Sequence, residues 1–179
     1  MKNRHYLLIL VGLLCLPMLS MAKIRITDMR VNGLDRPIGT DPDGKTVFSW
    51  ILVSDKTETF QEAYQVVVSS QGKKLWDSGK VNSDNSIAVA YEGTLTPDTE
   101  YTWTLQVWDN HGSASKKATS KWQTGIRTND WKAQWITASE APVPTYFRKA
   151  ENLSGNIRKA TAYITSHGIY EAFINGKRV

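Results

Sequence analysis

From residue 23 to about 125, short apolar runs alternate with turn residues about every 10 positions, the pattern of an all-β domain. Val47-Phe48-Ser49-Trp50-Ile51-Leu52 predicts one strand and Ala63-Tyr64-Gln65-Val66-Val67-Val68-Ser69 a second. Leu75-Trp76 reads as a short third, closed by Asp77-Ser78-Gly79, and residues 86–91 as a fourth. The sharpest alternation runs from Tyr101 to Trp108. Tyr101, Trp103, Leu105 and Val107 fall on one face, and Thr102, Thr104, Gln106 and Trp108 on the other. The Asp109-Asn110-His111-Gly112 turn ends it. No window carries a helical period.

A polar link at 126–130 leads to a second set of apolar runs at 131–136, 146–149, 160–166 and 169–174. They predict three or four further strands, where a complete sandwich needs about seven or eight. This part is expected to bury its sheet faces incompletely and to leave an open edge. The last run meets Asn175-Gly176, a strong two-residue hairpin signal, with only Lys177, Arg178 and Val179 after it. The expectation is that the sequence is the front end of a longer protein.

The first 22 residues have the form of a secretory signal peptide: Lys2, Arg4 and His5, then an apolar stretch interrupted by Pro17, then Ser20-Met21-Ala22 ahead of Lys23. An apolar run of about 14 residues is short of the roughly 20 that span a bilayer. Cys15 lies in the apolar stretch after Leu14, where a lipidation signal wants a small residue. The expected product is exported, periplasmic or extracellular, without cysteine and so without a disulfide. Its formal charge falls from +5 to +3 when Lys2 and Arg4 leave. The remaining basic residues are scattered pairs, which argues against a nucleic-acid partner.

Candidate chemistry changes the picture little. Gly39 to Thr46 has the spacing of a phosphate-binding loop, but a β-run follows where the motif needs a helix, and Asp41 and Asp43 would repel phosphate. Those two aspartates lack the rest of a calcium-loop ligand set. Trp76-Asp77 and Trp108-Asp109 are too closely spaced for propeller blades. His111 and His167 each precede a glycine at a predicted turn. Zinc spacing, a cysteine nucleophile and a nucleophile elbow are all missing. Glu171 reads as a strand-surface carboxylate. The sequence therefore nominates no catalytic, cofactor-binding or metal residue, and no cofactor or nucleotide. Trp108 points away from the core face, and packing against a neighbouring domain is the favoured reading over a sugar platform.

Leu95, Pro97, Thr99 and Tyr101 resemble the corner of a fibronectin type III or immunoglobulin-like sandwich, where the tyrosine hydroxyl bonds back to main chain. A longer series resembles the N-terminal part of bacterial α-L-rhamnosidases. It comprises Phe48-Ser49-Trp50, Gln61-Glu62-Ala63-Tyr64, Leu75-Trp76-Asp77-Ser78-Gly79, Tyr101 through Asp109, Trp122-Gln123-Thr124-Gly125, Trp131-Lys132-Ala133-Gln134-Trp135, Tyr146-Phe147-Arg148-Lys149 and Gly168-Ile169-Tyr170-Glu171 with Asn175-Gly176. The resemblance implies a signal peptide at 1–22, a fibronectin-like sandwich at 23–125 and the start of a jelly-roll domain, associated with carbohydrate binding, at 126–179. It also implies a catalytic (α/α)6 barrel that this sequence does not contain. Enzymes of that family release terminal α-L-rhamnose with inversion, using an acid and a base carboxylate about 6.5–9.5 Å apart. Both carboxylates belong to the barrel, so rhamnose-containing glycans become partners only through the missing domains. Two alternatives stand beside this reading. One is a secreted carbohydrate-binding or adhesion module using Trp108, Trp131, Trp135 or Tyr170. The other is part of a different glycosidase with a galactose-binding-like domain.

Overall fold

The computed structural model describes residues 24–139 and 144–179. The expected leader and Cys15 lie outside the described residues. Two compact units are present, one ending at Ala133 and the other beginning at Gln134.

The first unit holds nine strands: β1 (Ile24–Val31), β2 (Ile38–Thr40), β3 (Val47–Ser54), β4 (Gln61–Ser70), β5 (Lys73–Asp77), β6 (Val81–Asn82), β7 (Val89–Ala90), β8 (Glu100–Asp109) and β9 (Ala118–Thr124). A single 3-10 turn, Thr128–Asp130, follows them. The strands form two sheets. One has the order β1-β3-β7, and the other β2-β9-β8-β4-β5 with β6 also paired to β4. All pairings are antiparallel except β2 with β9, which run parallel.

Alternation builds the core between these sheets. Along β8, Tyr101, Trp103, Leu105 and Val107 are buried, and the residues between them are half-buried. The β4–β8 register sets Val66 opposite Leu105 and Val68 opposite Trp103, so both strands send their apolar residues to the same side. Phe48 and Trp50 of β3 meet them from the other sheet. Phe48 stacks on Trp103 with ring centroids 4.5 Å apart, and Trp50 meets Tyr64 edge-on at 5.3 Å. Trp122 of β9 stacks on Tyr101 at 4.9 Å. With no cysteine among these elements, this aromatic layer is what holds the two sheets together.

Strands β3 and β4 run a few residues beyond the sequence pattern, and two others differ from it for reasons the structure shows. The expected strand at 86–91 shortens to Val89–Ala90. The Asn85 side chain accepts the Ile87 N–H at 3.1 Å, the Ser49 hydroxyl accepts the Ala88 N–H at 3.0 Å, and Ala88 sits at φ +54°. Side chains thus take donors that a ladder would have used. The short third strand lengthens instead, because Gln71 (φ +50°) and Gly72 (φ +78°) form a tight hairpin turn that brings Lys73 back onto Ser70.

The second unit contains one hairpin, β10 (Phe173–Ile174) and β11 (Lys177–Arg178), around Asn175 and Gly176. The strands expected at 146–149 and 160–166, and the front of that at 169–174, are not ladder-paired among the described residues. Neither is the run at 131–136, which straddles the boundary between the units. A strand needs a neighbouring strand to take its N–H and C=O groups, and no paired strand runs beside these segments among the described residues. Among the described residues the second unit is one paired hairpin with the rest of the chain outside any ladder, and Trp135 is 64% and Phe147 57% exposed.

Candidate functional site

The residues that the sequence singled out do not converge. Trp108 stands half-buried on the outward face of β8. The Lys80 ammonium lies 4.6 Å from its ring centroid, a cation–π contact from within the same unit. A sugar stacking on that face would first have to displace Lys80. His111 is exposed in the turn after β8, where its backbone N–H donates to Asp109 Oδ1 at 3.0 Å. His167, also exposed, stacks on Trp135 at 4.0 Å. Trp131 is partly exposed. The half-exposed Tyr170 donates its hydroxyl to the Ile164 carbonyl at 3.3 Å. Glu171 pairs with Arg178 across the hairpin at 3.0 Å.

The loop at 39–46 is occupied by its own structure. Asp41 Oδ1 accepts the Asp43 N–H at 2.9 Å, and the Asp43 carboxylate accepts the Arg127 Nε–H at 2.9 and 3.0 Å. Strand β3 then starts at Val47, which confirms the β-run behind the rejection of a phosphate loop. Among the described residues no three His, Cys, Asp or Glu side chains cluster as metal ligands.

A general acid working near neutral pH needs a carboxyl pushed above its ordinary range. Among the described residues, the two carboxyls that move clearly go the other way. Asp77 is lowered by the Gln65 amide and then by the Gly79 N–H, against an opposing effect of burial, with the Lys74 hydrogen bond and charge each adding less. The Lys149 ammonium lowers Glu151. Two shallow grooves mark the surface of the first unit. One, of about 410 Å³, lies among Ile51, Phe60, Asp84 and Ile87, and the other, of about 580 Å³, lies among Asp43, Lys45, Tyr91 and Arg127. In the first, Asp28 is tied to Arg30 at 2.8 Å.

What the polar side chains do build is fixation of the sandwich. The Tyr101 hydroxyl accepts the Thr96 N–H at 2.7 Å, as the corner motif predicts. Thr124, fully buried, donates its hydroxyl to the Thr96 carbonyl at 2.6 Å and accepts the Thr99 N–H at 3.0 Å. Tyr101→Phe keeps the stacked ring and loses one bond, so it is expected to lower stability by about 1 kcal/mol, read as a shifted urea midpoint with unchanged slope. A second knot, which the sequence pattern did not reveal, centres on buried Gln61. Its Oε1 accepts the Trp50 indole N–H at 2.9 Å, and its Nε2 donates to the carbonyls of Ser83 at 3.0 Å and Asn85 at 2.9 Å. This amide joins both sheets and the loop before β7.

Comparison with known proteins follows the same lines. Residues 26–128 match the family described as Rha78A-like, N-terminal immunoglobulin domain. An α-L-rhamnosidase of Streptomyces avermitilis is 34% identical over 192 aligned positions, covering 89% of this chain and 18% of the relative. One from Formosa agariphila is 33% identical over 168 positions, covering 82% of this chain and 18% of its own length. Among solved structures, the Streptomyces avermitilis α-L-rhamnosidase complexed with L-rhamnose superposes with a TM-score of 0.60 at 41% identity, covering 64% of this chain and 12% of that one. The α-L-rhamnosidase from Dictyoglumus thermophilum gives 0.59 at 31%, covering 64% of this chain and 14% of that one. The chain thus spans under a fifth of the length of the curated relatives quoted.

Proposed function

The chain belongs to the Rha78A-like family, whose N-terminal immunoglobulin domain it carries, and on that premise we propose that it is the non-catalytic front region of an exported α-L-rhamnosidase. The observation that carries the proposal is the asymmetry of coverage: 89% of this chain aligns with 18% of a relative named α-L-rhamnosidase. The whole enzyme would remove terminal α-L-rhamnose from glycans or glycosides, with its acid and base carboxylates in a later domain. The basic, apolar, small-residue order of positions 1–22 supports export. Residues 23–125 would be the first sandwich, and 126–179 the opening of a second.

The contribution of the first sandwich would be mechanical. Two sheets locked by stacked aromatics and by the Gln61, Tyr101 and Thr124 bonds make a stiff module at the head of the enzyme. Purified protein beginning at Lys23 and ending at Val179 is expected to leave an aryl α-L-rhamnoside intact. The product of the uninterrupted reading frame, if it runs on past codon 179, is expected to cleave it with inversion at the anomeric carbon. Turnover by the short protein alone, or a full-length product cleaving a different glycoside, would overturn the proposal.

A further inference from the structure

The chain contains two Asn-Gly pairs, Asn32-Gly33 and Asn175-Gly176, and both form the same tight turn. Asn32 and Gly33 have φ +51° and +79°, and Asn175 and Gly176 have φ +51° and +77°. Asparagine followed by glycine is the pair most open to loss of the side-chain amide, because glycine puts no side chain in the way of its own backbone nitrogen. The surroundings of the two turns differ.

Asn32 is exposed too, but both its main chain and its carboxamide are bonded. Its backbone N–H donates to the Val47 carbonyl at 2.9 Å, and its side-chain Oδ1 accepts the Val47 N–H at 2.9 Å. Arg30 donates to the Gly33 carbonyl at 3.0 Å, and Val31 and Leu34 close the turn with reciprocal bonds of 2.9 and 3.0 Å. The turn is tied to the start of β3 by both bonds to Val47. For Gly33 to attack, the carboxamide must leave Val47, which opens the start of β3.

Asn175 is exposed, and its carboxamide makes no hydrogen bond among the described residues. The strands beside it are two residues long, helped by a Val179-to-Ala172 bond of 3.0 Å and the exposed Glu171–Arg178 pair. An exposed ion pair adds little restraint, and no side-chain bond of Asn175 has to break before its carboxamide can turn. Asn175 can therefore approach the geometry of attack without the side-chain opening that Asn32 requires.

We propose that Asn175 is a site of spontaneous deamidation in the folded protein and that Asn32 is protected by its bonds to Val47. The Gly176 nitrogen forms a bond to Asn175 Cγ, the Cγ–Nδ2 bond breaks, and the nitrogen leaves as ammonia with the proton from Gly176. Water then opens the cyclic imide at one of its two carbonyls, giving aspartate or isoaspartate. The isoaspartate form places an extra methylene in the main chain. A two-residue turn has no slack to absorb it, so the register of β10 and β11 is lost.

The test is to hold the intact chain at mildly alkaline pH, folded and in denaturant, and to follow both peptides by mass spectrometry after digestion in acid. In the folded protein Asn175 is expected to convert at least about tenfold faster than Asn32, because their opening equilibria differ. In denaturant the two rates are expected to converge. Equal rates in the folded protein, or faster loss at Asn32, would overturn the proposal. So would a difference of the same size in denaturant, which would assign the order to neighbouring sequence.

Discussion

Trp103→Ala is expected to be the most damaging single change in the first sandwich, lowering stability by about 3–5 kcal/mol. Trp103 is fully buried, sits at mid-strand in β8 opposite Val68 and Ser120, and stacks on Phe48 of the opposite sheet at 4.5 Å. Truncation leaves a cavity where the two sheets touch, and neither sheet can close over it without shifting its neighbours. Domains of this size have total stabilities of about 5–15 kcal/mol, so the variant is expected to be partly unfolded at 37 °C. Urea unfolding followed by circular dichroism measures it. Trp103→Phe separates packing from hydrogen bonding. The indole Nε1 has no hydrogen-bond partner among the described residues, so the phenylalanine variant removes an unpaired donor along with some volume and should retain most of the stability. If the alanine variant lost under about 1 kcal/mol, the stacked pair would not be the joint between the sheets.

Gln61→Leu carries the second largest expected effect, about 2–4 kcal/mol. Leucine nearly fills the volume of glutamine but strands three groups at once: the Trp50 N–H and the carbonyls of Ser83 and Asn85. Removing one partner of a buried polar group leaves the other to bear its desolvation. Gln61→Glu gives a signed test. A carboxylate still accepts from Trp50 but faces two carbonyl oxygens, so its pKa in the folded state must rise above the unfolded value of about 4.3. That variant is expected to be nearest to wild type when protonated and to lose stability as the pH climbs through that value and the folded pKa above it. A flat pH profile for Gln61→Glu relative to wild type would show that the Ser83 and Asn85 carbonyls do not depend on the amide.

The β8 strand was legible because its period-two pattern is unbroken for eight residues, and both the buried set and the Tyr101 corner bond follow from it. Strand β9 was not, since Ala118–Thr124 carries one large apolar residue, Trp122, and its strand state is imposed by the β8 ladder rather than by its own side chains. Strand β2, three residues around Gly39, has no local signal at all. The buried role of Gln61 is not legible in the sequence, because a polar residue at the start of a strand ordinarily faces water. Only the tertiary fold, by placing the Trp50 indole and two carbonyls around it, makes it a core residue. The strands expected at 146–149 and 160–166 are not ladder-paired among the described residues, for the opposite reason. Tyr146-Phe147 and Ala160 to Ser166 have strand-like composition, but composition cannot supply the neighbour that a ladder needs. The candidate sugar platforms were legible as exposed aromatics, whereas Lys80 over Trp108 depends on where the chain after β5 passes.

The parallel pairing of β2 with β9 has a consequence for biosynthesis. Ile38 lies beside Gln123, and the Thr40 carbonyl accepts the Gly125 N–H at 2.7 Å, so one of the earliest segments of the sandwich is paired with its last. As the polypeptide emerges from the ribosome, β2 has no neighbour until β9 has followed it out, and contacts this distant in sequence form slowly. Completion of the large sheet is thus deferred until nearly the whole first unit has been synthesised. Until then, the partly made sandwich exposes a strand edge to other nascent chains.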